Sequence, residues 1–169
     1  MNKIDDRAVP PSVAEPLRAV SATPGMRLLR NWTLKAQHRE QPSPEDRAQI
    51  VPTAAALNAA LTPATPQQIA GLIEELVWHY PNPDRPDAAR RALAKDWLRD
   101  LGHLPEDILE AACTAWRRAP NVFAPTPGQL LALANPIFET RRFWARRATE
   151  LAGCASPAPI STPPRKERA

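Results

Sequence analysis

Apolar side chains recur along the middle of the chain with the spacing of amphipathic helices. The clearest example lies between residues 66 and 80, where apolar positions follow the i, i+3, i+4, i+7 rule of one buried helix face. These positions are Ile69, Leu72, Ile73, Leu76, Val77 and Tyr80. The alternating pattern of strands is absent, and strong helix formers such as alanine, leucine, arginine and glutamate dominate this region. We therefore predict an all-α fold.

The same spacing predicts a series of helices along the chain. Their approximate bounds are 24–38, 44–61, 66–79, 86–101, 105–118, a helix from 127, and 136–152. In the helix at 86–101, the apolar stripe predicted to face inward is Ala89, Leu93, Trp97 and Leu101. Pro52 lies inside a helical pattern and Pro136 separates two of them, so we expect a kink or a break at each.

Several predicted helices begin at a hydroxyl side chain followed directly by proline. The pairs are Thr23-Pro24, Ser43-Pro44, Thr65-Pro66 and Thr126-Pro127. The hydroxyl can accept a hydrogen bond from an unpaired amide of the first turn, and proline loses nothing there because its nitrogen carries no hydrogen. Gln68 and Gln129 stand three residues after their threonines, which is the spacing of a capping box.

The predicted helices and the proline-rich ends divide the chain into segments. Residues 65–134 form a small helical bundle, and residues 24–64 form a helical extension whose docking the sequence leaves open. Residues 135–154 form a basic amphipathic helix. The remaining segments, 1–23 and 155–169, are Pro-rich and have few apolar side chains. Because they cannot bury enough apolar surface to offset the entropy of ordering, we expect disordered N- and C-terminal tails.

The formal net charge is +4, and the excess lies near the C-terminus. Residues 135–169 hold seven basic and three acidic residues, whereas residues 1–134 hold fifteen of each. We therefore expect any attraction to an anionic partner at the C-terminal end.

The sequence has no apolar segment typical of export or of a membrane span. The N-terminus lacks the apolar core of a signal peptide, and no stretch reaches the roughly 18–20 apolar residues that a spanning helix needs. Only two cysteines are present, Cys113 and Cys154. We expect a cytoplasmic protein without a membrane partner.

No constellation of residues predicts catalysis, a metal or a cofactor. Histidines and cysteines lack the spacing of metal ligands. Cys113 with His103 could form a thiolate pair, but its small-residue helix face favours a packed thiol. Carboxylates one turn apart, such as Asp96 and Asp100, are typical of a solvated helix face. We expect a protein that is not an enzyme and that carries no cofactor.

Near the C-terminus, arginines lie directly beside two large aromatic side chains. The candidate partner-binding residues are Arg141, Arg142, Phe143, Trp144, Arg146 and Arg147. Three interpretations remain open. Arginine and aromatic residues are enriched at protein-binding hot spots. They also bind phosphates and stack on bases. Alternatively, this is an ordinary amphipathic helix with Trp144 inside and its arginines in water.

Residues 80–131 combine several short motifs. These are Asp96-Trp97-Leu98-Arg99-Asp100-Leu101, Leu104-Pro105, Trp116-Arg117, and Phe123-Ala124-Pro125-Thr126-Pro127-Gly128-Gln129-Leu130. Together they resemble the N-terminal domain of the phage replicative helicase loader and inhibitor family, and they are similar to small prophage replication-associated proteins. The chain departs from that pattern at Ala124, where a proline is common, and in residues 1–64, which have no counterpart.

The resemblance implies a small helical bundle without a catalytic centre. It also implies a separate segment after the bundle that engages the hexameric helicase, for which residues 136–169 are the match by position. The expected function is a non-catalytic phage or prophage replication adaptor that binds a replicative DNA helicase and loads or inhibits it. The alternatives are a small phage-encoded regulator that binds nucleic acid through the same basic helix, or an inhibitor of another host protein.

Overall fold

The computed structural model describes residues 24–35, 41–81 and 86–153. The predicted tails, residues 1–23 and 155–169, lie outside the described residues, as do the predicted start at Thr23 and the cysteine at position 154.

Within the described residues the secondary structure is entirely helical. The six helices are α1 (Pro24–Lys35), α2 (Pro44–Ala59), α3 (Pro66–Val77), α4 (Asp87–Leu101), α5 (Glu106–Arg118) and α6 (Pro127–Leu151). The predicted all-α class is confirmed. None of these helices is long and apolar enough to cross a membrane.

The capping interactions explain where several helices begin. The Ser43 hydroxyl accepts the Asp46 amide at 3.1 Å. At α3, the Thr65 amide donates to the Gln68 side chain at 2.8 Å, and the Gln68 amide donates back to the Thr65 hydroxyl at 3.3 Å. The Thr126 amide donates to Gln129 in the same way at 2.8 Å. Each bond satisfies an amide that has no partner within its own helix.

Two helices continue through internal prolines. Pro52 lies inside α2, and Pro136 lies inside α6. A kink or a break was expected at each of these prolines, and the prediction of a break into separate helices is wrong. Buried residues on both sides, such as Ile50 and Ala54 in α2, anchor each helix to the core. A proline inside a helix removes one backbone hydrogen bond, and packing on both flanks can offset this loss. The basic stretch is consequently the second half of α6.

The buried side chains form two clusters, and α6 belongs to both. The first lies among α3, α4, α5 and the first half of α6, with Leu101, Leu104, Ile108, Leu109 and Leu130 fully buried. The second joins α1 and α2 to the second half of α6, with Met26, Leu29, Ile50, Leu57, Ala145 and Ala148 buried. The N-terminal extension is therefore docked on the C-terminal half of α6. In addition, the Ala64 amide, in the segment between α2 and α3, donates to the Leu104 carbonyl of the first cluster at 2.9 Å.

The predicted inward stripe of α4 is only partly covered. Trp97 and Leu101 are buried, as expected, but Ala89 is exposed and Leu93 is 37% exposed. Every residue from 87 to 95 is exposed, because no other described element packs over this half of the helix. The prediction that Ala89 and Leu93 face the core is wrong.

Candidate interaction surfaces

Arg141, the first of the six candidate partner-binding residues, is an internal anchor. Its side chain is 3% exposed. The guanidinium donates to both carboxylate oxygens of Asp107, at 2.9 and 2.5 Å, and to the Ala60 carbonyl at 2.8 Å. It thereby connects the start of α5 to the end of α2. Because these bonds occupy the guanidinium within the fold, Arg141 is not presented to a partner.

The other candidates lie on the outer side of α6 or, like Trp144, at its edge. Arg142 bonds Glu139 at 2.9 Å, Arg147 bonds Glu150 at 2.7 Å, and Arg146 is exposed. Phe143 is 43% exposed and lies edge-to-face on Trp144, with ring centroids 5.2 Å apart. Trp144 is half-buried against the second cluster. The helix thus combines a buried face, as in the amphipathic interpretation, with an outer face that remains available for contact.

Helix α1 adds cations to this outer face. The Arg30 guanidinium lies 5.9 Å from the centroid of the Trp144 ring. Since Met26 and Leu29 point into the second cluster, Arg27 and Arg30 lie on the exposed side of α1. We name the combined surface the arginine–aromatic face. Its residues are Arg27, Arg30, Arg142, Phe143, Trp144, Arg146 and Arg147.

Sequence reasoning missed the contribution of α1, although one signal was present. The segment Pro24–Lys35 carries Arg27, Arg30 and Lys35 and no acidic residue. The local sequence could indicate a basic helix, but it could not indicate that this helix lies beside residues more than a hundred positions away.

Charge is unevenly distributed between the two halves of the described fold. The residues around the second cluster (24–35, 41–61 and 139–153) hold eight basic and four acidic side chains, an excess of four positive charges. Those around the first cluster (62–81 and 86–138) hold six basic and eight acidic side chains, an excess of two negative charges. The arginine–aromatic face therefore lies on the electropositive half of the molecule.

A second exposed surface lies at one end of the bundle. Gln68 bonds Glu106 near the starts of α3 and α5, and Glu75 bonds Arg117 near their ends, so these two helices run in the same direction. Trp78, which follows α3, is 81% exposed, and Val122 and Phe123, which follow α5, are 69% and 72% exposed. We name these three residues the aromatic end.

The loop that carries Val122 and Phe123 is held by hydrogen bonds to α5. The Trp116 indole donates to the Phe123 carbonyl at 3.3 Å. The Asn121 side chain donates to the Trp116 carbonyl at 3.0 Å, and the Asn121 amide donates to the Ala119 carbonyl at 2.7 Å. These bonds hold two apolar side chains in water. The predicted helix bounds leave residues 119–126 between two helices, but they do not predict that the apolar side chains there are exposed.

The thiol of Cys113 is buried between two helices. It lines a cavity of about 30 Å³ between α3 and α5, together with Leu72, Glu75, Leu76, Glu110 and Arg117. Burial raises the pKa of the thiol to about 12, and the nearby Arg117 opposes this only in part. A thiol with this pKa stays protonated at neutral pH and is a poor nucleophile. His103 lies elsewhere, with its ring edge-on to Phe138 at 5.4 Å.

The two carboxylates one turn apart on α4 both pair with one arginine. Asp96 and Asp100 each bond Arg99, at 2.8 and 3.3 Å. In the part of the chain that the structure describes, no group of three His, Cys, Asp or Glu side chains is arranged to hold a metal ion.

Comparisons with known protein families, with curated proteins and with solved structures find no match for this chain.

Proposed function

We propose that this chain is a non-catalytic adaptor that binds a replicative DNA helicase and loads or inhibits it. The supporting observation is the aromatic end, where Trp78, Val122 and Phe123 are more than two-thirds exposed. Val122 and Phe123 lie within the stretch that resembles the helicase loader and inhibitor family in sequence.

Protein recognition suits the chemistry of the aromatic end. Large aromatic side chains dominate protein-binding hot spots because they bury much area against a partner with little loss of conformational freedom. The hydrogen bonds from Trp116 and Asn121 hold the loop before binding, so less ordering is needed when a partner docks.

The resemblance alone points to a different contact, in the segment after the bundle. Residues 136–151 belong to α6 and contribute Ile137, Phe138, Ala148 and Leu151 to the two clusters. A segment packed in this way is poorly suited to act as a separate docking arm. We therefore assign the proposed helicase contact to the aromatic end.

Affinity capture with the full chain tests the proposal. Purified protein would be immobilised and exposed to native-host lysate treated with nuclease, at moderate salt. The double variant Trp78→Ser/Phe123→Ser removes both aromatic rings of the aromatic end. The matched control is Leu34→Ser, which removes an apolar side chain that is 60% exposed on α1. Truncation after Asn135 is unsuitable, because it deletes part of both clusters.

We expect the wild type and Leu34→Ser to retain the helicase. The double variant should lose at least about tenfold in affinity, since truncating one hot-spot aromatic costs about 2 kcal/mol or more. Retention of the helicase by the double variant would show that the contact lies elsewhere. Capture of a different host protein, dependent on the same two residues, would favour the alternative of an inhibitor of other host machinery.

The second candidate function is a nucleic-acid-binding regulator. The observation in its favour is the electropositive half of the fold, with its excess of four positive charges among the described residues.

A further inference from the structure

From the arrangement of α1 and α6 we infer that the arginine–aromatic face is a binding site for single-stranded nucleic acid. This site is separate from the aromatic end and goes beyond the proposed helicase contact. It replaces the six residues suggested by sequence with a composite set that includes α1 and omits the buried Arg141.

The first step of the argument is the concentration of positive charge. α1 contributes Arg27 and Arg30 without any acidic residue, and α6 contributes Arg142, Arg146 and Arg147. Within the described residues Arg146 takes part in no ion pair. Clustered guanidinium groups attract the phosphate backbone of a nucleic acid and release its condensed counterions.

The second step concerns where these cations lie relative to one another. Residues three and four apart on a helix are neighbours, so Arg142, Arg146 and Phe143 share the outer side of α6. Trp144 lies at the edge of this side, where the Arg30 guanidinium lies near its ring. The face is therefore a continuous surface across two helices, with aromatic rings in the middle and arginines on both sides.

The third step distinguishes single strands from duplexes. Phe143 is 43% exposed, and its ring stands at 76° to that of Trp144. One side of an exposed ring can stack on an unpaired base, whereas the bases of a duplex are already stacked on each other. Arginines that follow a backbone beside an exposed aromatic ring are typical of proteins that bind single strands.

The fourth step concerns the acidic residues of the face. Glu139 bonds Arg142 and Glu150 bonds Arg147, so each carboxylate neutralises an arginine of the site. A phosphate must compete with these carboxylates. Removing them should strengthen binding to a polyanion. A protein partner that needs these arginines oriented by their carboxylates would instead bind more weakly.

Fluorescence anisotropy with the full chain tests the inference. The probes are a labelled oligothymidylate of about 20 nucleotides and a duplex of the same length, each titrated over a range of salt. If about three phosphates are neutralised, log K should fall by roughly 2 per tenfold rise in salt, which is about a 20-fold loss between 50 and 200 mM.

Four variants separate the contributions to binding. Arg30→Ser/Arg146→Ser should weaken binding to the single strand by about tenfold and flatten its salt dependence. Phe143→Leu keeps an apolar side chain but removes the ring, and it should weaken single-strand binding at least about fivefold while sparing the duplex. Glu139→Gln/Glu150→Gln should tighten binding. The matched control is Arg91→Ser/Arg118→Ser, which removes two exposed arginines from the other half of the fold and should change nothing.

Several results would overturn the inference. The first is no binding of the oligothymidylate at low salt. The second is an equal loss of affinity in the control variant Arg91→Ser/Arg118→Ser. The third is equal affinity for duplex and single strand, together with an unchanged affinity in Phe143→Leu. Weaker binding of the oligothymidylate by Glu139→Gln/Glu150→Gln would also contradict it, because the two carboxylates should compete with phosphate for Arg142 and Arg147. Thermal unfolding of each variant confirms that it folds. Because Trp78→Ser/Phe123→Ser should keep nucleic-acid binding and Arg30→Ser/Arg146→Ser should keep helicase capture, either proposal can fail alone.

Discussion

The ion pair of Arg141 and Asp107 joins two partners with very different exposure. Arg141 is 3% exposed, whereas Asp107 is 49% exposed. Removing either partner breaks the same pair of hydrogen bonds. The consequences should differ, because what matters is the environment of the group that remains behind.

Replacing Asp107 with alanine leaves a buried cation. The guanidinium then keeps only its bond to the Ala60 carbonyl. Hydrogen bonds to charged groups contribute roughly 1.5–3 kcal/mol, and stranding one charge of a fully buried pair costs about 3–5 kcal/mol. Since water reaches the Asp107 side of the pair, the cost of removing Asp107 should lie where these two ranges meet or slightly below. We expect Asp107→Ala to lower the free energy of unfolding by about 2–3 kcal/mol.

Replacing Arg141 with methionine leaves a half-exposed carboxylate that water can solvate. The substitution keeps an unbranched side chain at this buried position. It also removes the Arg141 Nε, which is buried without a hydrogen-bond partner among the described residues. A buried unsatisfied donor costs about 1–3 kcal/mol, so its removal offsets part of the lost bonding. We expect Arg141→Met to lower the free energy of unfolding by only about 0–1 kcal/mol.

Urea unfolding followed by far-ultraviolet circular dichroism measures both variants and the double variant Arg141→Met/Asp107→Ala. The double variant should be no less stable than Asp107→Ala, because no charge is stranded once both partners are gone. If Arg141→Met is as damaging as Asp107→Ala, the assignment of the cost to the buried cation is refuted. Retention of partner binding by Arg141→Met would further agree with its position inside the fold.

Three further predictions concern the core, α4 and the caps. In a Cys154→Ser background, Cys113 should react with a thiol reagent at pH 8 only in urea, because burial raises the pKa of its thiol to about 12. The reaction is followed by absorbance, and a rapid reaction of the folded protein would show that the thiol is not buried. Leu93→Glu should change the free energy of unfolding by less than about 1 kcal/mol, whereas Leu101→Ala should lower it by about 2–5 kcal/mol; similar costs in urea unfolding would mean that the first half of α4 is covered. Thr65→Ala should cost about 1 kcal/mol in the same assay through loss of the α3 cap, and no measurable change would mean that the capping box contributes nothing.

The helix starts show what local sequence can predict. The bonds of Thr65 with Gln68 and of Ser43 with Asp46 join residues three positions apart. Their geometry depends on one turn of backbone, so the sequence pattern contains almost all the information that determines it. Proline at the first helical position likewise acts within a single turn.

The internal prolines show where local rules fail. By local propensity Pro52 and Pro136 should interrupt their helices, yet both helices continue. The stabilising contacts come from residues on other helices that bury both flanks, and a local rule does not include them. In α4 the omission of distant contacts leads to the opposite error, because the local pattern predicts burial that the fold does not provide. The period of 3.6 predicted which side of the helix is apolar, but not that Leu93 on that side is 37% exposed among the described residues.

By itself, the sequence determined the helical class, the approximate bounds of the helices and the presence of arginines beside aromatic residues near the C-terminus. These depend on periodicity, caps and composition, which act over a few residues. Only the tertiary structure decided that Arg141 is bonded within the fold to Asp107 and to Ala60, a residue 81 positions away, and that Arg30 approaches Trp144. It did so because burial and ion pairing between distant helices depend on how those helices pack.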